Sequence, residues 1–205
     1  MIKALECLDT CFCCDIVNNC NGPVPGTGNP NADIMFVGIN PGKNEDVKRE
    51  PFVGSSGKWL DRIINAIGYD REEVYISNIV KCLTPDNRIP MKTEYDFCKH
   101  WLDKEIDFVK PKLIIPLGKF ATKHILGISY EEEVRMSSYR GQYVKIPKNN
   151  RNIAVYPLLH PATLVYNRTT NYPTYRADLI NLIEIFISKG ILESMNDNWK
   201  ETFEF

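Results

Sequence analysis

The sequence lacks the features that mark membrane and exported proteins. None of its 205 residues belongs to a run approaching the roughly 18 consecutive apolar residues that a transmembrane helix needs. The first residues also lack the long apolar core of a signal peptide. We therefore expect a cytoplasmic protein that has no contact with a membrane.

The chain also lacks an excess of positive charge. Its 25 Lys and Arg residues are offset by 26 Asp and Glu residues, which leaves a formal net charge of -1 at pH 7. Because nucleic-acid-binding proteins usually contact phosphates through Lys and Arg, composition alone does not indicate such a partner. A local basic face would be enough, and its candidates are Arg135, Arg140, Lys145, Lys148 and Arg151. The acidic run at 131–133 is equally consistent with an ordinary solvated loop.

Cysteine, in contrast, is plentiful, with seven in the chain. In a reducing compartment, thiolates that bind a metal are a better interpretation of a C-x-x-C pair than disulfides are. Cys11 and Cys14 form such a pair, Cys82 follows a strand-like run, and Cys98 lies one predicted helix further on. This spacing predicts four thiolates that converge on one centre, and their chemistry suits Zn²⁺ and a [4Fe–4S] cluster equally well. Each could instead be a buried apolar residue, as free Cys often is.

Three cysteines fall outside this set: Cys7, Cys13 and Cys20. Because Cys13 lies beside Cys14, the choice of ligands in the first pair stays open.

Short apolar runs alternate with segments of helical periodicity. Four runs predict strands, at 34–37, 74–80, 113–117 and 153–159, and four segments predict helices, at 57–68, 93–109, 119–126 and 175–188. This alternation predicts a three-layer α/β/α fold around a central four-stranded parallel sheet. We expect a single domain over 1–205, with a metal-binding N-terminal segment at 1–32 and a C-terminal tail at 193–205.

Unusual polar residues follow three of the predicted strands. Asn40 comes after the first strand, Asn78 closes the second, and His160 follows the fourth. In open α/β sheets, ligands bind beyond the carboxyl ends of the strands. The sequence therefore predicts that these three side chains meet in one crevice.

Each asparagine has two interpretations. Asn40 lies in the turn Gly-Ile-Asn-Pro-Gly at 38–42, where its carbonyl oxygen could hold a water molecule, although Asn-Pro-Gly is also an ordinary turn. Asn78 presents a donor and an acceptor together, so it could bind a ligand edge that offers a carbonyl beside an N–H group. It could equally cap a turn at the end of its strand.

Two ring side chains complete the candidate site. Phe52 lies in a Gly-flanked loop and could stack on an extruded base, or simply fold back on the core. His160 could donate a hydrogen bond to a carbonyl oxygen that gains charge in a transition state. We favour function for His160 because of its position after a buried strand. His100 and His124 fall in predicted helices and are interpreted as surface or packing residues.

These residues, in this order, closely resemble the uracil-DNA glycosylase superfamily, and most of all the family 4 enzymes that carry a [4Fe–4S] cluster. The resemblance runs from about Cys11 to about Leu182. The stretches that carry it are 29–38, 51–54, 74–82, 85–88, 117–118, 140–141 and 160–162. The Lys-Cys pair at 81–82, with a second Cys one helix later, is specific to the cluster-bearing branch. The resemblance, and not the spacing, thus favours iron–sulfur over zinc.

The resemblance implies a role for each candidate residue. The implied cluster ligands are Cys11, Cys14, Cys82 and Cys98. The implied substrate-binding residues are Gly38, Ile39, Phe52 and Asn78, and the implied catalytic residues are Asn40 and His160. In this scheme Phe52 stacks on the base, Asn78 reads the polar edge of uracil, and His160 faces O2 of the leaving base.

The first motif departs from the family 4 pattern. Family 4 enzymes usually carry an acidic residue at its second position, where this chain has Ile39, followed by Asn40. The form Gly-Ile-Asn-Pro-Gly resembles the mismatch-specific branch, in which the Asn positions the water. This departure bears on base specificity more than on reaction type, and it leaves open a broader range that includes other deaminated bases. The segment 83–90 has no histidine of the kind found in relatives that trap DNA covalently, so we expect ordinary turnover.

The resemblance implies a monomeric, monofunctional DNA-repair glycosylase that flips uracil out of DNA and hydrolyses its N-glycosidic bond. A non-catalytic protein of the same fold that binds damaged or single-stranded DNA is the first alternative, because Ile39 replaces the acidic residue. A zinc-stabilised α/β binding module is the second. The aromatic residues in the tail at 200–205 could contact a sliding clamp, or could simply pack or fray.

Overall fold

The computed structural model describes residue 11 and residues 14–190. The tail at 193–205, the first ten residues, and with them Cys7, as well as Cys13, lie outside the described part of the chain.

A six-stranded sheet forms the centre of the fold. Its strands are β1 (Thr27–Gly28), β2 (Ile34–Gly38), β3 (Tyr75–Asn78), β4 (Leu113–Pro116), β5 (Val144–Lys148) and β6 (Arg151–Val155). The spatial order is β1-β3-β2-β4-β6-β5. The four inner strands are parallel, whereas β1 and β5 pair antiparallel to their neighbours. The inner four are the strands that the apolar runs predicted.

Six helices accompany the sheet: α1 (Lys43–Lys48), α2 (Ser55–Ala66), α3 (Lys92–Val109), α4 (Lys119–Ile125), α5 (Ala162–Tyr166) and α6 (Arg168–Ser188). Strand β2 is buried along its whole length, as expected of a central parallel strand covered on both faces. Ile34 and Phe36 point to one core with α2, α5 and α6, while Met35 and Val37 point to a second core with α3. The predicted three-layer α/β/α arrangement is thereby confirmed.

The predicted count of four strands was too low. The sequence missed β1 because it has only two residues, one of them Gly28. It missed β5 because that strand is only partly buried and carries Lys145, Pro147 and Lys148, which favour a loop or an edge. Both are edge strands, where one side of the backbone needs no partner strand.

Element boundaries also moved. The second predicted strand ends at Asn78, two residues early, and the fourth spans Arg151–Val155. The last helix begins at Arg168, seven residues before its predicted start, and contains Pro173. Within the described residues, no helix is long and apolar enough to cross a membrane.

The register of the sheet brings the first motif beside the end of β3. Gly38 pairs with Asn78, and the backbone N–H groups of Ile79 and Val80 then donate to the carbonyls of Gly38 and Ile39. The turn at 38–42 therefore leaves β2 directly alongside Asn78.

Candidate active site

A cavity of about 590 Å³ opens at the carboxyl ends of β2 and β3. Its wall includes Ile39, Asn40, Phe52, Asn78 and His160, so the convergence predicted for the three polar residues is present. The volume falls within the range that small-molecule and base-binding sites usually have.

Gly38 lies directly behind this wall. A methyl group added to its Cα would collide with Oδ1 of Asn78 and would lie 2.7 Å from the ring of Phe52. Only glycine allows the strand to approach both side chains so closely. The predicted placement of Gly38 at the site follows from this close approach, although Gly38 does not line the cavity itself.

Asn78 presents an unsatisfied acceptor. The residue is only 2% exposed, and its side-chain Oδ1 has no hydrogen-bond partner among the described residues. A buried polar atom without a partner costs about 1–3 kcal/mol, so native proteins tolerate few of them. Because Asn78 lines the cavity, a ligand that carries an N–H group could satisfy this oxygen.

His160 is held as a neutral hydrogen-bond donor. Its Nδ1 accepts a hydrogen bond from the backbone N–H of Ala162 at 3.1 Å, which places the ring proton on Nε2. Burial lowers the pKa of His160 to about 4, against a smaller opposing effect of the Glu45 charge. The ring also stacks on Phe52, with centroids 5.7 Å apart and planes inclined by 28°.

Asn40 is oriented by its own amide group. Its Nδ2 donates to the carbonyl of Pro41 at 3.1 Å and to Oγ1 of Thr84 at 3.3 Å. No donor from the described part of the chain contacts its Oδ1. The carbonyl end of the amide is therefore available to accept a hydrogen bond from a water molecule in the cavity.

Glu45 is a wall residue that the sequence did not reveal as part of the site. Its Oε1 accepts hydrogen bonds from the backbone N–H groups of Val53 at 2.9 Å and Gly54 at 2.8 Å. Its Oε2 accepts one from Gly42 at 3.1 Å. One carboxylate thus fastens the loop that carries Phe52 to the turn that carries Asn40. The available sequence signal is a glutamate at the third position of a helix, where its side chain can accept a hydrogen bond from the backbone of the residue that precedes the helix.

Four more wall residues come from segments that the sequence analysis did not assign to the site: Asn87, Arg88, Ile89 and Tyr166. Asn87 adopts a left-handed backbone with φ of 55°. Arg88 forms an ion pair with Glu94 at 2.6 Å. Tyr166, at 87% exposure, and Ile89, at 57%, are apolar groups left in solvent around the cavity.

The four predicted thiols meet at a second, much smaller cavity on the other face of the sheet. Cys11, Cys14, Cys82 and Cys98 all line it. Burial raises the pKa of Cys98 to about 12 and also raises the pKa values of Cys14 and Cys82. Without a metal these groups are therefore neutral thiols, and binding one would release their protons.

Among the described residues, no three side chains of ligand type come close enough together to hold one metal ion. A soft, all-thiol set that lines one cavity fits an iron–sulfur cluster and Zn²⁺ alike.

Three residues of the predicted basic face have partners within the fold. Arg140 pairs with Asp178, Lys148 pairs with Asp103, and Arg151 donates to backbone carbonyls of Ile106 and Pro111. The other two, Arg135 and Lys145, are exposed, so a basic surface there stays a prediction. The prediction that His124 is a packing residue agrees with its partly buried ring, whose Nδ1 lies 2.7 Å from the hydroxyl of Tyr95.

The fold and the cavity define an α/β protein with a base-sized pocket at the carboxyl edge of its sheet. The sequence model described as the uracil DNA glycosylase superfamily matches residues 25–184. The chain belongs to this superfamily.

Several known proteins are similar to the chain over most of its length. It is 40% identical over 166 residues to the type-4 uracil-DNA glycosylase of Sulfurisphaera tokodaii, which covers 80% of this chain and 76% of that protein. It is 37% identical over 157 residues to the type-4 enzyme of Archaeoglobus fulgidus, covering 77% and 79%. It is 33% identical over 184 residues to the type-4 uracil-DNA glycosylase of Thermotoga maritima, an alignment that covers 90% of this chain and 93% of that protein.

Proposed function

We propose that the protein hydrolyses the N-glycosidic bond of uracil in DNA, after the base has left the helix. The observation that carries the proposal is one cavity in which the unsatisfied Oδ1 of Asn78 and the Nε2–H donor of His160 lie on the same wall as Phe52. Uracil offers a donor at N3, acceptors at O2 and O4, and a flat face, which match these groups.

The extruded base would be held by stacking and by its polar edge. Extrusion costs a few kcal/mol, and stacking on Phe52 offsets part of that cost. Oδ1 of Asn78 would accept from N3–H of uracil, while its Nδ2 donates to O4. The first of these contacts removes the cost of the unsatisfied buried oxygen. Lys43, on the cavity wall, offers positive charge to a flanking phosphate.

His160 would stabilise the leaving group. As the glycosidic bond breaks, negative charge grows on uracil and positive charge grows on the sugar. A neutral imidazole that donates from Nε2 to O2 becomes a stronger partner as that charge grows, so the contact favours the transition state. With a pKa of about 4, the ring keeps this neutral form throughout the physiological range.

Asn40 would position the attacking water. An amide is a poor base, so the contribution of Oδ1 is orientation and not proton removal. Asn87 lines the same cavity and is a second amide that could share this role. No lysine nucleophile is implied, so the product is an abasic site in an intact strand.

The turn at 38–42 bears on the range of bases. Ile39 lines the cavity where family 4 enzymes usually have an acidic residue, and an apolar side chain there makes no polar demand on the base. We propose that other deaminated bases are accepted besides uracil. The segment 83–90 contains no histidine that could trap the sugar, so turnover is expected.

We also propose a [4Fe–4S] cluster held by Cys11, Cys14, Cys82 and Cys98. The four thiols that line one cavity, together with the similarity to type-4 uracil-DNA glycosylases, support this proposal. When bound, the cluster supplies thiolate bonds that tie the N-terminal segment to β3 and α3, and it takes no part in bond cleavage. Replacing Cys82 by Ala is expected to remove the visible absorbance near 400 nm.

The test is an excision assay on labelled oligonucleotides that contain uracil, hypoxanthine, xanthine or thymine, followed by alkali to cleave abasic sites. Wild-type protein is expected to release uracil, and Asn40→Ala is expected to lose most of that activity while keeping its melting temperature. Binding without cleavage products would instead support the non-catalytic DNA-binding alternative. A monomeric enzyme is proposed; contact with a clamp would involve the tail, outside the described residues.

A further inference from the structure

A fully buried ion pair lies between the candidate active site and the thiol cavity. Lys81 and Glu105 both have 0% side-chain exposure, and Nζ of Lys81 lies 2.6 Å from Oε2 of Glu105. A buried pair of this kind is often no more stabilising than apolar residues of the same size. Its contacts therefore deserve a functional explanation.

On one side, the ion pair forms hydrogen bonds with the end of β3. The ammonium of Lys81 donates to the backbone carbonyl of Asn78 at 2.8 Å and to Oγ of Ser77 at 2.7 Å. Ser77 in turn donates to Oε2 of Glu105 at 2.5 Å. The residue whose side chain faces the base pocket thus has its own carbonyl fixed by a buried charge.

On the other side, the pair borders the thiols. Lys81 precedes Cys82, and its backbone N–H donates to Sγ of Cys98 at 3.2 Å. Lys81 is also one of the residues that line the cavity shared by the four thiols. Glu105 lies two turns after Cys98 on α3, and its Oε1 accepts a hydrogen bond from the backbone of Gly26 at 2.9 Å.

We propose that Lys81 is a positioning residue that links base recognition to the thiol centre. Its ammonium fixes the carbonyl of Asn78, and the same charge offsets the negative charge of four thiolates around a cluster. Glu105 holds that ammonium in place and moderates its field. The inference rests on the proposed function, and it adds a coupling between the two sites.

The opposite charges of Lys81 and Glu105 predict opposite effects on the midpoint potential of the cluster. Reduction adds negative charge, so a nearby positive group favours it and a nearby negative group opposes it. Lys81→Met should lower the midpoint potential of the cluster, and Glu105→Gln should raise it. The double variant K81M/E105Q should stay close to wild type, because it removes both charges together. A role limited to packing would not give opposite signs.

The contact with Asn78 predicts an effect on substrate. In K81M and in the double variant, KM for a uracil oligonucleotide should rise about tenfold, with a smaller change in kcat, as when a group that orients a binding residue is lost. Lys123→Met is the matched control. Lys123 is also a buried lysine, but its ammonium donates to the carbonyls of Tyr130 and Glu132, and it lines neither cavity.

The experiment measures iron content, midpoint potential by redox titration, kcat and KM on the holoprotein and these variants. The proposal expects opposite potential shifts in K81M and E105Q, raised KM in K81M and the double variant, and wild-type values of both in K123M. If K81M does not fold, the KM prediction is tested on the double variant and the midpoint-potential prediction on E105Q.

Three results would overturn the proposal. Equal potentials and KM values in wild type, E105Q and the double variant would overturn it while leaving the glycosylase assignment intact. Potential shifts of the same sign in K81M and E105Q would do the same. A wild-type protein without iron would overturn the proposal because no cluster would be present. An iron-loaded protein that does not excise uracil would instead show that the proposed function had failed.

Discussion

The close approach at Gly38 determines how three parts of the pocket fit together. The side chain of Asn78 and the ring of Phe52 occupy the space that any Cβ at position 38 would need. The sequence could indicate Gly38 only as part of a turn, because this packing involves residues from three separate segments. The predicted meeting of Asn40, Asn78 and His160, in contrast, needed only the rule that strands point their carboxyl ends to one edge.

Gly38→Ala is expected to reduce uracil excision by about a hundredfold, since it displaces both the ring and the amide that are proposed to hold the base. Gly127→Ala is the matched control. Position 127 has a positive φ, of 70°, whereas position 38 does not, and an added Cβ at 127 meets nothing within 4 Å. Both variants should lose some stability, Gly127→Ala through backbone strain and Gly38→Ala through the steric clash of its Cβ, and only Gly38→Ala should lose activity. Equal excision rates in the two would contradict the close-packing argument, which single-turnover assays can decide.

Among the elements, the short helix α1 has an effect larger than its size suggests. It carries Glu45, which holds three backbone N–H groups in the two loops that supply Asn40 and Phe52. The next residue, Asp46, accepts hydrogen bonds from the backbone and side chain of Asn21, close to the thiol segment. Helix α1 therefore connects the N-terminal segment with the active-site loops.

Glu45→Gln should loosen these loops. The single side-chain oxygen of a glutamine can still accept a hydrogen bond. Its NH₂ group, however, would face a backbone N–H group that donates to the second carboxylate oxygen in the wild type. Loss of that contact is expected to cost about 1–3 kcal/mol of stability and to raise KM more than it lowers kcat. Thermal melting and steady-state excision measure the two effects. Unchanged melting together with unchanged KM would show that Glu45 does not hold the loops.

The elements that could be predicted are those with a strong local pattern. The four inner strands could be predicted from apolar runs because they are covered on both faces. Helix α3 could be predicted from its clear helical periodicity. Strands β1 and β5 could not be predicted, because an edge strand is defined by its neighbour and not by its own sequence. The early start of α6 was hidden by Pro173 and a polar first stretch at 168–174. Glu45 and Asn87 could not be assigned to the site from the sequence, because helix α1 has only six residues and the segment around Asn87 shows no periodicity.

For the molecule as a whole, two histidines make stability depend on pH. Burial lowers the pKa of both His124 and His160 to about 4, below the value of about 6.5 in an unfolded chain. The unfolded state therefore binds more protons between these values. Each histidine contributes stability that is complete above about pH 6.5 and is lost as the pH falls towards 4, up to about 3 kcal/mol each.

His124→Gln should flatten this dependence. The variant keeps a polar group near the hydroxyl of Tyr95 but cannot be protonated. Its melting temperature should fall less between pH 7 and pH 4.5 than that of the wild type, and its excision activity at pH 7 should change little, because position 124 does not line the cavity. Parallel melting curves for the two proteins across this range would contradict the assignment.

The central claim is that Asn78 is kept buried and unsatisfied in order to read a base. The most direct measurement pairs stability with excision in the variant Asn78→Leu. Removing an unsatisfied polar group should leave the melting temperature equal to or higher than that of wild type, while uracil excision falls at least a hundredfold. A variant that excises uracil at a near-normal rate, or that melts well below wild type because the amide was needed for folding, would contradict the account.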